Sequence, residues 1–175
     1  MSPIVESAVV AFCAIFVVQT LRNFMGRRKI RSDFDYAMQV ISREAVKQAR
    51  REYDTDLDFS ADSIEQMEAI LAKMHDAHLK APMSEWELAL LSLRWGAYIG
   101  EVMKRARPGK WQRDSEGAGP GTIPIVFAPG TEAFPRPWVY KRIADGPEED
   151  VRFKFQVFSD PSLRQNIGQS QQPLT

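Results

Sequence analysis

The chain is poor in the residues from which reactive sites are commonly built, with one cysteine and two histidines among 175 residues. A single cysteine forms no disulfide within the chain. Because Cys13 lies inside an apolar run, the rest of the sequence offers neither a thiol nucleophile nor a thiolate metal ligand. Cys13 reads as a small apolar filler. Excess charge is also lacking: 23 Lys and Arg balance 23 Asp and Glu, so no nucleic-acid partner is expected. There is no GxSxG, no GxxxxGK(S/T), no GxGxxG after a strand and no HExxH. The Gly-rich stretch Gly117-Ala118-Gly119-Pro120-Gly121 precedes no helix that could hold a phosphate. No cofactor is expected.

One long apolar run is present. Residues 4–21 (IVESAVVAFCAIFVVQTL) are almost wholly apolar, and Arg22, Arg27, Arg28, Lys29 and Arg31 follow directly. At about 1.5 Å per residue, a helix of this length reaches roughly 27 Å, close to the thickness of a hydrocarbon core. A signal peptide carries its positive charge before the apolar run, and here the order is reversed. The strictly unbroken stretch, residues 8–18, also suits an interfacial segment, so a full span and a surface helix both remain open.

The sequence predicts a single transmembrane anchor over residues 1–22 and a basic juxtamembrane connector over 23–32. The basic cluster marks the cytoplasmic face and meets anionic lipid headgroups, with the N-terminus outside. Ser7 and Ala11 form a small-xxx-small pair through which two such helices can approach, making a homo-oligomer one expected partner.

Charge is segregated along the chain. Residues 22–53 carry nine basic and four acidic side chains, residues 54–87 two and nine, and residues 88–114 six and two. Blocks of opposite sign this close pair within one fold or form solvated faces.

Residues 33–158 predict one cytoplasmic α+β domain that is mainly helical. Three main helices come first, then a small β-hairpin or sheet and one or two short C-terminal helices. Phe34, Met38, Ile41, Ala45, Ala49 and Tyr53 make one stripe of a helix that Ser32 or Asp33 can cap. Ser60 caps the second helix, whose stripe is Ile64, Met67, Leu71, Met74 and His78 or Leu79. Ser84-Glu85-Trp86-Glu87 is a capping box that opens the third helix. That helix is apolar nearly all round from 88 to 99, as expected of the centre of a core.

Further on, residues 110–114 and 123–128 can pair as a hairpin. Pro124 predicts an edge position for the second of these strands. Pro137 suits the first turn of a short helix. Residues 148–158 fit either strand or helix, and three acids at their start favour helix. Residues 159–175 are polar, Gln-rich and expected to be a disordered tail.

Three features invite a chemical reading. Gly96 and Gly100, four apart on a helix, each cost about 1 kcal/mol against Ala and predict close helix packing. Glu101 follows them and is the weak catalytic candidate. A carboxyl half-buried beside a glycine-lined cleft could act as a general acid or base, with Arg94 or a basic side chain elsewhere as its partner. His75 and His78, three apart, are weak metal candidates. They lack a third ligand, and a helix C-terminus alone accounts for them.

The pieces LRWGAYIGE at 93–101, Trp111, Phe134-Pro135, VYKRIADG at 139–146 and the stretch 148–158 come in that order. This pattern resembles a family of bacterial domains of unknown function over roughly residues 55–158. The resemblance implies a small α+β domain and carries no activity, and the membrane anchor is not part of it. The expected function is a membrane-tethered protein-interaction module of adaptor, regulatory or immunity-like type on the cytoplasmic face of a bacterial inner membrane, with an unknown protein partner. The alternative is a small membrane-bound enzyme using Glu101.

Overall fold

Asp33 opens the first helix as a short acidic side chain can. Its Oδ1 accepts the amide of Tyr36 at 3.1 Å, satisfying one donor that a helix start leaves without a partner. The computed structural model describes residues 33–159. The apolar segment, the basic cluster from Arg22 to Arg31 and the tail from residue 160 lie outside the described residues. Among the described residues, no helix is long and apolar enough to cross a membrane.

Two compact units divide the chain, residues 1–37 and residues 38–175. In order, the elements are α1 (Phe34–Tyr53), α2 (Ser63–Lys80), α3 (Glu85–Ala106), β1 (Gly109–Trp111), β2 (Ile125–Phe127), β3 (Thr131–Ala133), α4 (Pro135–Ala144) and α5 (Val151–Ser159). A 3-10 turn, Pro147–Glu149, precedes α5. The fold is α+β, mainly helical, with a three-stranded antiparallel sheet.

The predicted capping box is present in full. Ser84 Oγ accepts from the Glu87 amide at 3.3 Å, and Glu87 accepts from the Ser84 amide at 2.8 Å. The Ser84 hydroxyl, 2.7 Å from Glu87 Oε2, and the Ser84 amide together hold the Glu87 carboxyl below its ordinary range. At α2 the capping differs in detail. Ser60 Oγ accepts from the Ser63 amide at 3.2 Å from within a preceding turn, and Asp62 occupies the cap position with no side-chain bond.

α3 is the central element. It packs most extensively on α4, and α2 lies against α4 and α5. Trp95, Ala97, Tyr98 and Ile99 on consecutive faces of α3 are all inaccessible to solvent, as a helix apolar on every side requires. Its polar exceptions are answered. Ser92 donates back to the Ala89 carbonyl, and Arg94 donates to Gln48 Oε1 on α1 at 2.7 Å.

β1 and β2 pair as expected, Trp111 opposite Ile125 and Gly109 opposite Phe127. The edge assignment of β2 is corrected: it is the central strand, with β3 on its other side. Pro124 sits one residue before the paired segment, and its carbonyl accepts from the Gln112 amide. No ladder donor is therefore missing. The inward residues Trp111, Ile125, Phe127 and Ala133 close the sheet onto the helices.

The ambiguous stretch is helical. Val151 and Phe155 are buried, while Phe153, which a strand would place on their face, is 59% exposed. Two residues beyond the end of α4, Gly146 has φ of +110°, which favours glycine, and a Cβ there would lie 3.0 Å from His75 Nε2.

Candidate functional site

The two glycines of α3 serve different neighbours. A Cβ on Gly96 would lie 2.7 Å from Arg136 Cα, since the first turn of α4 crosses there backbone against backbone. A Cβ on Gly100 would lie 2.1 Å from Trp111 Cζ2 and 2.5 Å from Ile125 Cδ1. The Trp111 indole rests on that face.

That indole also reaches Glu101. The carboxylate is buried, and its Oε1 accepts from Trp111 Nε1 at 2.9 Å and from Lys104 Nζ at 3.0 Å. Arg94, turned toward α1, is not the partner in these bonds. Lys104 could have been found from sequence, because a Glu and a Lys three apart share a helix face. Trp111 could not, since it arrives only through the turn into β1.

Beside Glu101 is a hollow of about 270 Å³, lined by Ser42 and Arg43 of α1, Glu101, Lys104 and Arg105 of α3, and Phe59 with Gln39. Phe59 has φ of +62°, a left-handed conformation that a bulky residue adopts at a cost of about 1–3 kcal/mol. Its surroundings hold it there. The ring stacks on Tyr98 with centroids 4.7 Å apart, and the Phe59 amide donates to the Tyr98 hydroxyl at 3.0 Å. The Arg105 guanidinium lies over the Phe59 ring at 4.7 Å and donates to the Asp58 carbonyl. Burial pushes the Tyr98 hydroxyl above its ordinary range, with Ser63 Oγ 2.6 Å away.

A second, larger cleft of about 400 Å³ opens beside α4. Ile123, Phe134, Pro137 and Tyr140 form apolar walls, and Arg136, Lys141 and Asp145 supply its charged lining. The Tyr140 hydroxyl donates to Glu85 at 2.8 Å. At the start of α3, Trp86 is 70% exposed and Leu90 43%.

The histidines are engaged separately. His75 Nδ1 lies 2.8 Å from the Ile143 carbonyl, and His78 Nδ1 accepts the Met83 amide at 3.0 Å. Among the described residues, no group of three His, Cys, Asp or Glu side chains could hold a metal.

The strongest polar feature was not singled out by sequence reasoning. Glu68 Oε1 accepts from Arg142 Nε at 2.5 Å, and both side chains are less than a tenth exposed. Glu68 Oε2 accepts the Val151 amide, so one carboxylate ties α2 to α4 and α5. A signal existed: Glu68 follows Ile64 by four residues and precedes Leu71 by three, which sets a carboxylate on the buried stripe. Compared with models of protein families, with curated proteins and with solved structures, the chain matches none.

Proposed function

We propose that the protein is a membrane-tethered protein-interaction module on the cytoplasmic face of a bacterial inner membrane. Its domain belongs, on this reading, to the bacterial family that residues 55–158 resemble. The observation that carries the reading is the cleft beside α4: open, about 400 Å³, apolar on its walls and bordered by Arg136, Lys141 and Asp145. That is the form of a pocket for an apolar side chain of a partner, with Arg136 and Lys141 outnumbering Asp145 among its charged groups. The apolar run at 4–21 and the basic residues after it supply the address.

If residues 4–21 insert, the full chain will stay with membranes through carbonate and high-salt washes, and protease will reach the domain only from the cytoplasmic side. Release by salt alone would show that charge holds it there.

The hollow beside Glu101 supports the second reading, an enzyme with Glu101 as general acid or base. One substitution separates the two. Glu101→Gln keeps the size of the side chain but weakens its bonds to Trp111 and Lys104. In the interaction reading it costs about 1–2 kcal/mol of stability, while a photocrosslinker at Tyr140 still captures its partner in cells. In the enzyme reading the fold is unchanged and complementation is lost, because an amide cannot exchange the proton. The expected pattern is the first, read from melting curves, crosslinking and complementation.

A further inference from the structure

Beyond the interaction reading, we propose that the hollow between α1 and α3 is a binding site for a phosphomonoester. Its lining carries Arg43, Lys104 and Arg105 against one carboxylate, Glu101. A phosphomonoester bears about −1.5 to −2 charge at neutral pH, which suits an excess of two cations.

The cations are held in different ways. Lys104 is tied to Glu101, whose Oε1 is also the acceptor for Trp111, so its ammonium is fixed at the wall. Arg105 is clamped by the Phe59 ring and the Asp58 carbonyl. Arg43 is exposed and makes no ion pair or hydrogen bond among the described residues. Its planar guanidinium is left to grip phosphate oxygens in pairs.

Asp58 does not line the hollow, and its carboxylate accepts the Ser60 amide at 2.8 Å. The strained backbone of Phe59 fits the same role. It holds an aromatic ring where Arg105 needs a platform, and strain of this kind concentrates at binding sites.

A phosphomonoester could come from a lipid headgroup, such as phosphatidic acid, or from a soluble metabolite. The test uses the full chain in dodecyl maltoside micelles, followed by phosphorus NMR. One arm titrates glycerol phosphate, and the other dopes the micelles with short-chain phosphatidic acid. Saturable binding in either arm is expected. Saturation with glycerol phosphate assigns a site open to soluble esters, and saturation with the lipid alone assigns a headgroup site.

Arg43→Gln should weaken binding about tenfold with an unchanged melting temperature, the loss of roughly one charge-assisted contact. Arg136→Gln, a cation of the other cleft, should leave binding unchanged. Three results would overturn the proposal: no saturation in either arm, Arg43→Gln binding like the parent chain, or both variants weakening equally. The last two would place the anion on diffuse charge or on another basic cluster.

Discussion

Glu68→Leu is expected to destabilise the fold by about 3–5 kcal/mol, the largest effect of any single substitution considered. The carboxylate is 6% exposed and Arg142 4%, so removing it leaves a guanidinium in the interior without its counter-charge. Arg142 donates from Nε to Glu68, and its Nη1 has no hydrogen-bond partner among the described residues. The Val151 amide loses its acceptor in the same substitution, which loosens the start of α5. The double variant Glu68→Leu with Arg142→Met removes both charges and should recover much of the loss, because apolar replacements of a buried pair are often neutral or better. Urea denaturation of the single and double variants checks this. A single variant as stable as the parent chain would mean that the pair contributes nothing, contrary to its burial.

Gly100→Leu should cost about 3 kcal/mol or more, and Gly100→Ala a smaller share in the same direction. Even the first carbon added at Gly100 would fall 2.1 Å from the Trp111 ring and 2.5 Å from Ile125. Neither neighbour can retreat cheaply, since both are inward residues of the sheet, 2% and 0% exposed. Overpacking alone accounts for about 1–3 kcal/mol. Displacing the indole also breaks its bond to Glu101, leaving a buried acceptor with one donor fewer. The checks are a melting curve and Trp111 fluorescence, which should shift to the red as the ring meets water. An unchanged melting temperature would show that the sheet slides off α3 without loss.

The two largest predicted effects had unequal footing in the sequence. Gly100 was legible as a close contact, because a glycine within an apolar helix needs a reason and packing is the commonest one. Which ring filled the contact was not. Glu68 was legible only as a carboxylate on an apolar stripe, and its partner lies 74 residues away. Arg142 sits in the last turn of a short helix, a position any cation favours, so its place marks no partner.

The secondary structure divides along the same line. The Ser84–Glu87 box and the Asp33 cap act within one turn, and local sequence is sufficient for them. β3 is three residues long, too short for alternation to show, and it exists because β2 offers it an edge. Central placement of β2 was hidden by reading Pro124 as part of the strand, although the proline stands just outside the ladder.

By itself, then, the amino-acid sequence determined where the helices lie, that α3 is the core helix, that 148–158 leans to helix and that its glycines need near neighbours. These depend on periodicity and on side chains bonding to backbone a few residues away. Tertiary structure alone decided that Glu101 answers to Trp111, that Glu68 answers to Arg142, and that Arg43, Lys104 and Arg105 meet around one hollow beside a strained Phe59. The reason is physical. A buried polar group must find a partner wherever the packing brings one, and packing joins helix faces that are far apart along the chain.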